Sequence, residues 1–219
     1  MKIKLAQMRV KALNVKDNYK TMIEAINKSI GEADLIVFPQ NALLGMMHSD
    51  RINDKAMIDD LLYYQDKLVE KADGIALAWG GIDRIDNNLY QCIYFVKNNV
   101  LKKIYKRDLR DDKYYSESKY YALHRPNQNV LILDGKKISF SFLDDEIDAV
   151  SDINIVIDSS FWYEGVVERR IEKLRKLKGK TIYINHVGMQ NNGKSVFVYD
   201  GTCLYLKDDQ IKYLSNPFE

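Results

Sequence analysis

The pattern of hydrophobic and polar positions in the first forty residues predicts a strand, a helix and a second strand. Residues 2–10 alternate between apolar and polar side chains, which is typical of a strand with one buried face. Residues 34–38 form a continuous apolar run, which predicts a strand covered on both faces. Asp17 or Asn18 can cap the start of the helix between them. That helix is indicated by apolar residues at helical spacing: Tyr19, Met22, Ile23, Ile26 and Ile30.

The same order then repeats and gives way to hairpins. A second amphipathic helix is followed by a buried strand over 74–79, which Gly80 and Gly81 are expected to end. Two hairpins follow, with turns predicted at Asn98–Asn99 and at Asp134–Gly135. The second helix is indicated by Met57, Leu61, Tyr64, Leu68 and Ala72. The hairpin strands are predicted over 89–96, 100–105, 129–133 and 137–143.

The last third of the chain predicts one more helix among short strands. The helix lies within 164–178, and turns are expected at Asn192–Gly193 and Asp208–Asp209. The strands are predicted over 153–157, 181–187, 195–199, 202–206 and 210–214. Apolar helix stripes need a sheet to cover, and apolar strands need cover on both faces. The sequence therefore predicts an α/β protein, a four-layer αββα sandwich, as one domain over 1–219.

Composition narrows the range of functions. The chain has 33 Lys and Arg against 31 Asp and Glu, for a net charge of +2, so no strong attraction to nucleic acid or to a membrane surface is expected. The 2 cysteines, Cys92 and Cys203, form neither a disulfide framework nor a metal cluster. The histidines lack metal-ligand spacing, and the sequence holds neither a signal-peptide pattern nor a long apolar span. We expect a cytoplasmic protein without a metal or cofactor.

Polar residues follow four of the predicted strands, at the ends where α/β sheets commonly bind ligands. These segments are 38–41, 104–109, 141–145 and 157–162. We therefore expect Asp144 and Asp145 to line a pocket together with four residues of the last segment: Ser159, Ser160, Phe161 and Trp162.

Eight motifs follow one another in a characteristic order along the chain. They are IKLAQMRVKALNVKDNYKTMIEAI (3–26), ADLIVFP (33–39), YKRDL (105–109), SESKYY (116–121), KISFSFLDD (137–145), DSSFWYEG with ERR (158–165, 168–170), INHVG (184–188) and DG (200–201). In this order the motifs resemble the nitrilase, or carbon–nitrogen hydrolase, superfamily, and most of all the glutamine-amidase domain of glutamine-dependent NAD synthetases. The resemblance covers essentially the whole chain.

The resemblance implies a cysteine nucleophile, a glutamate general base, a lysine that stabilises the oxyanion, and a second glutamate. The lysine is matched by Lys106 and the second glutamate by Glu117. Gln40 stands at the position of the base, and Leu143 stands at the position of the nucleophile. An amide cannot take up a proton near neutral pH, although Gln40 could still hydrogen-bond Lys106 through its carbonyl. Asp144 and Asp145 match the family's acidic pair.

These two replacements favour a catalytically degenerate domain. It would act as a structural or regulatory partner of a synthetase or other enzyme subunit, or bind small amides, and as a homodimer if it follows the family. The alternative is an active amidase with a relocated nucleophile, for which Ser141 is the candidate. A third hypothesis is nucleic-acid binding through the basic run 102–107 and four tyrosines, although packing is the commoner role of such a cluster. The tyrosines are Tyr114, Tyr115, Tyr120 and Tyr121.

Overall fold

The computed structural model describes residues 1–113, 115–125, 128–146, 150–191 and 193–219. Tyr114 of the tyrosine cluster and Asn192 of the predicted turn lie outside these ranges. The described part of the chain forms three α-helices and two large sheets. None of its helices has the length and apolar character needed to cross a membrane.

The first sheet has five strands in the order β1-β2-β3-β4-β5. β1, β2 and β3 are parallel, and β3, β4 and β5 pair antiparallel as a meander. The strands are β1 (Ile3–Leu5), β2 (Leu35–Val37), β3 (Ala76–Ile85), β4 (Asn88–Lys97) and β5 (Val100–Tyr105).

The second sheet has six strands in the order β13-β12-β9-β8-β7-β6. Its centre, β7-β8-β9, is parallel, and its outer strands pair antiparallel. The strands are β6 (Val130–Leu133), β7 (Lys136–Phe142), β8 (Ile153–Ile157), β9 (Lys180–Ile184), β12 (Leu204–Lys207) and β13 (Gln210–Tyr213). A separate ribbon joins β10 (Val187–Asn191) to β11 (Val196–Asp200).

The helices cover the outer faces of the two sheets. Side chains of α1 (Val15–Asn27) and α2 (Lys55–Val69) pack with Leu77 and Trp79 of the first sheet. α3 (Val166–Leu174) packs its Leu174 against the second sheet. Between the sheets lies a buried apolar layer to which both contribute: Leu35, Val37, Ala76, Ala78, Ile93, Phe95, Ile104, Ile138, Phe140, Phe142, Ile155 and Ile157 are among its members. The predicted αββα sandwich is confirmed.

Local turn chemistry explains the register of the hairpins. Asn98 and Asn99 both have positive φ, 49° and 61°, in the two-residue turn between β4 and β5. Asp134–Gly135 and Asp208–Asp209 do the same in their hairpins. Tight hairpins favour such turns, and Asn, Asp and Gly adopt positive φ at low cost.

Three details differ from the sequence-based expectation. The predicted strand over 2–10 pairs as a strand only over Ile3–Leu5, after which the chain leaves the first sheet and Met8 O accepts from Val187 N at 3.3 Å. The cap of α1 is Asn14, whose side chain accepts from Asp17 N, rather than Asp17 or Asn18. Gly80 and Gly81 do not end β3.

The two glycines lie inside β3, where other parts of the chain approach the strand closely. A Cβ on Gly80 would lie 2.4 Å from Cα of Gln40, and one on Gly81 would lie 2.2 Å from Oε1 of Gln65. Gly80 thus marks a close approach of the loop after β2 and Gly81 a close approach of a side chain from α2, and neither marks a turn. Gly80 N donates to Pro39 O at 3.2 Å, which fixes that loop against the sheet.

Candidate functional site

Gln40 lies where strand ends of the two sheets meet. Its backbone N donates to Asp158 O at 3.2 Å, at the end of β8, and its backbone O accepts from His186 Nε2 just after β9. The Gln40 side chain is equally fixed, since Ser159 Oγ donates to Oε1 at 2.9 Å and Nε2 donates to Oε1 of Gln91. Both polar atoms of the Gln40 amide are therefore satisfied, and its residue is only 2% exposed.

The imidazole of His186, in a single tautomer, holds the loop of Gln40 in place. Gln190 Oε1 accepts from Met46 N at 2.8 Å, so Gln190 Nε2 faces His186 Nδ1 at 3.2 Å. Nδ1 is thus the acceptor, and Nε2–H donates to Gln40 O. Burial lowers the pKa of His186 to about 4, which keeps the ring neutral. No role for His186 follows from the sequence, yet this residue is fully buried and positions Gln40.

Lys106 and Glu117 form a buried ion pair beside this loop. Lys106 Nζ donates to both carboxylate oxygens of Glu117, at 2.9 Å and 2.7 Å, and its side chain is 2% exposed. Glu117 also accepts from Arg110 N at 2.7 Å. The ring of Phe142, the last residue of β7, lies 5.4 Å from Nζ. Lys106 belongs to the basic run 102–107. Such runs usually lie on a solvated surface, but Lys106 is buried.

Gln91, for which the sequence predicts no role, connects Gln40 to the ion pair of Lys106 and Glu117. Its Nε2 donates to Glu117 Oε1 at 3.1 Å while its Oε1 accepts from Gln40. The expected hydrogen bond from Lys106 to the Gln40 carbonyl is absent, because Gln91 stands between them and Gln40 Oε1 already accepts from Ser159. The sequence does indicate that Gln91 is unusual, because it is a polar residue in the predicted apolar strand 89–96.

Leu143 takes no part in this hydrogen-bond network. It packs with the cluster that joins α3 to the second sheet, which includes Val156, Leu174 and Tyr183. It also lines two cavities, one of about 360 Å³ and one of about 40 Å³. The side chain of Leu143, which the sequence resemblance aligns with a nucleophile, thus contributes apolar packing and cavity lining.

The acidic pair after Leu143 has two separate roles. Asp145 accepts backbone hydrogen bonds from Arg107 at 2.9 Å and Phe142 at 3.1 Å, which ties the segment that carries Lys106 to the end of β7. Burial raises the pKa of Asp145. Burial also opposes ionisation of Asp144, but Lys106 and Lys173 outweigh it and lower the pKa of Asp144, whose Oδ1 lies 2.7 Å from Lys173 Nζ.

The remaining pocket candidates divide between the two cavities, the network and the surface. Ser160, Phe161 and Asp144 line the smaller cavity, and Asp144 and Asp145 line the larger one. Ser159 belongs to the Gln40 network. Trp162 is 48% exposed and contacts the ring of Phe218.

The tyrosine cluster encloses a buried histidine. Tyr115 Oη lies 2.9 Å, and Tyr121 Oη 2.8 Å, from Nε2 of His48, and the ring of Tyr120 packs edge-on against the same imidazole. Burial raises the pKa of both Tyr115 and Tyr121. These rings are therefore packed inward around His48. No group of three potential metal ligands occurs among the described residues.

Several solved structures share this architecture. Over 100% of this chain, the glutamine-dependent NAD⁺ synthetase of Acinetobacter baumannii superposes with a TM-score of 0.83 at 20% identity. An amidase of Nesterenkonia sp. gives 0.81 at 16% identity, also over 100% of this chain and 87% of its own. A carbon–nitrogen hydrolase superfamily protein of Xanthomonas campestris gives 0.78 at 15% identity, over 100% of this chain and 88% of its own.

The chain has the carbon–nitrogen hydrolase fold. It spans 44% of the Acinetobacter synthetase, less than half of that chain. No protein-family model matches the sequence, and no curated protein sequence does. Similarity at this low identity establishes the fold, and the chemistry has to be argued from the residues in the site.

Proposed function

We propose that this chain is a carbon–nitrogen hydrolase-like domain without hydrolase activity, which acts as a structural or regulatory partner or binds small amides. The proposal rests on Gln40 and Leu143, which stand where the resemblance places the general base and the nucleophile. An amide does not accept a proton near neutral pH, and a leucine has no nucleophilic atom. The Gln40 amide is moreover saturated by Ser159 and Gln91, which supports a structural role for it.

The two thiols of the chain do not replace the missing nucleophile. The Nesterenkonia amidase is described as adding acrylamide at an active-site cysteine. In this chain Cys92 is fully buried on β4, and burial raises its pKa well above the usual range. Cys203 Sγ donates to Gln7 Oε1 at 3.2 Å, and burial raises its pKa to about 11. Both thiols therefore stay protonated and poorly nucleophilic.

The rival hypothesis moves the nucleophile to Ser141. Its hydroxyl is buried and hydrogen-bonds to none of the described residues, so no base is in place to activate it. Active relocation requires an acyl adduct on Ser141 after incubation with an amide substrate, which mass spectrometry of the intact chain would detect. We expect no adduct.

The proposed partner is suggested by one of the solved structures to which the chain is similar. Because the chain corresponds to part of a synthetase in Acinetobacter, we propose a synthetase or other enzyme subunit as its partner, and a homodimer as its own assembly. Sedimentation velocity of the pure chain tests the second point, and a monomer at micromolar concentration would contradict it.

Ammonia release tests the absence of catalysis. Purified chain is incubated with glutamine and with other ω-amides, next to the Lys106→Ala variant and to Lys67→Ala as a control at an exposed lysine. We expect no ammonia above buffer from any of the three. Hydrolysis by the wild-type chain and Lys67→Ala that is lost in Lys106→Ala would overturn the proposal.

A further inference from the structure

The guanidinium of Arg110 has one buried edge that makes an ion pair but no hydrogen bond. Its Nε and Nη2 atoms are shielded from solvent and hydrogen-bond to none of the described residues. Asp112 Oδ2 lies 3.4 Å from Nε but outside hydrogen-bond geometry. A buried donor that makes no hydrogen bond destabilises the fold, and more so when it is charged. This edge therefore has two donors that a bound acceptor could satisfy.

Arg110 is fixed in place and remains charged. The rings of Tyr115 and Phe161 lie 5.8 Å and 5.9 Å from its Cζ atom. Its backbone N is anchored on Glu117. Burial alone would lower the pKa of Arg110, but the carboxylates of Glu117 and Asp158 outweigh that effect and raise it. Because the Arg110 side chain is already fixed, little further conformational entropy is lost when an anion binds to it.

The cavity that Arg110 lines is small and positively charged. It has a volume of about 40 Å³, which is room for a few water molecules or one planar group of similar size. Its walls carry four cationic side chains and two carboxylates. The cations are Arg110, Arg169, Arg170 and Lys173, and the carboxylates are Asp112 and Asp144.

A second cavity shares part of its wall with this one. Leu143, Asp144 and Lys173 also line the neighbouring cavity of about 360 Å³, where Val156 and Leu174 add apolar walls. A ligand whose charged group occupies the small cavity could extend a short aliphatic chain along Leu143 into the larger one. The residue that replaces the nucleophile would then be a contact surface.

We propose that the Arg110 cavity binds the carboxylate of a small aliphatic acid, whose two oxygens accept hydrogen bonds from Nε and Nη2. Two parallel donors on a rigid planar fork match the spacing of carboxylate oxygens, and a lysine cannot reproduce that geometry. Such binding needs no nucleophile. The proposal therefore goes beyond the missing catalysis and stands even if the chain proves to hydrolyse amides.

Calorimetric titration of the full chain tests the proposal with two matched probes, butyrate and butyramide, at low ionic strength. We expect butyrate to bind with a Kd on the order of 1 mM. Butyramide, which lacks the charge, should bind at least tenfold more weakly. Arg110→Lys keeps the charge but loses the fork, and it should also weaken butyrate binding at least tenfold. Arg84→Gln, at an arginine that does not line the cavity, should bind as the wild type does.

Three outcomes would overturn the proposal: equal binding of butyrate and butyramide, unchanged affinity in Arg110→Lys, or tighter binding of inorganic phosphate than of butyrate. Arg110→Gln should abolish butyrate binding. If thermal unfolding shows that this variant is not folded, the Arg110→Lys comparison decides. Ammonia release is measured separately, so the two proposals can fail independently.

Discussion

Replacing Gln40 by glutamate, the residue type that the sequence resemblance implies for a general base, should destabilise the fold as the pH rises. The side-chain amide of Gln91 points its nitrogen at Glu117, to which it donates, and therefore presents its carbonyl oxygen to residue 40. A carboxylate at position 40 would therefore place an oxygen against Oε1 of Gln91, at a residue that is 2% exposed. The protonated acid avoids this conflict, because its hydroxyl can donate to Gln91 while its other oxygen accepts from Ser159. Folding should thus raise the pKa of the new glutamate.

The magnitude follows from linkage. A glutamate titrates at about 4.3 when unfolded, and we expect burial without a donor to raise its pKa by about two units in the fold. Between the two pKa values the folded chain binds one more proton than the unfolded chain. The free energy of unfolding therefore falls by about 1.4 kcal/mol per pH unit, for a loss of about 2.7 kcal/mol by pH 8.

Urea unfolding of Gln40→Glu, compared with the wild type at pH 4.5 and at pH 8, measures this loss. Gln128→Glu is the matched control, because Gln128 is exposed and its glutamate should titrate alike in both states. We expect the free energy of unfolding of Gln40→Glu to fall further below that of the wild type as the pH rises, and that of Gln128→Glu to show no such trend. A variant as stable relative to the wild type at pH 8 as at pH 4.5 would refute the hydrogen-bond order assigned to Gln91.

Further predictions concern the ion pair, the buried histidine and the thiols. Lys106→Met should cost about 3–5 kcal/mol in urea unfolding, since it leaves Glu117 buried without its partner. The pKa of His186 is about 4 in the fold and 6.5 when unfolded, so the stability from its neutral form is complete above pH 6.5. Acidification towards pH 4 should remove about 3 kcal/mol, and His186→Gln should flatten that dependence. Iodoacetamide should leave Cys92 and Cys203 unlabelled in the native chain, as read by mass spectrometry.

Each of these predictions has a contrasting measurement. Lys67→Ala, at an exposed ion pair, should change stability by less than about 1 kcal/mol. A pH profile of His186→Gln as steep as that of the wild type would show that another group carries the acid sensitivity. In urea both cysteines should label, and rapid labelling of the native chain would contradict their burial.

The fold could be predicted because its signals are local. Turn pairs such as Asn98–Asn99 and Asp134–Gly135 fix hairpin register within two residues, and continuous apolar strands require cover on both faces. The glycines at 80 and 81 misled because sequence alone does not distinguish a turn from a close approach. That distinction depends on the loop of Gln40, which lies forty residues earlier in the chain.

The sequence singled out Gln40, Lys106 and Glu117, but not how they are connected. The structure joins these three residues into one network, in which the hydrogen bond expected between Gln40 and Lys106 is not formed. Gln91 shares the inter-sheet face of β4 with Ile93 and could have been suspected from that parity. Which of its neighbours it bonds depends on where the loops after β2 and β5 end, and no local pattern specifies that.

The presence of Lys106 and Glu117 is therefore poor evidence for catalysis. In a buried pair, removal of either partner leaves an uncompensated charge, so each residue is required once the other is present. The Gln40 amide, which hydrogen-bonds Gln91 and Ser159, is not a group that could take up a proton beside this pair. Lys106, Glu117 and Gln40 are instead connected through Gln91 in one buried polar network, which Ser159 ties to the second sheet. Under the function proposed above, Gln91 is the residue that lets these polar groups stay buried without a catalytic role.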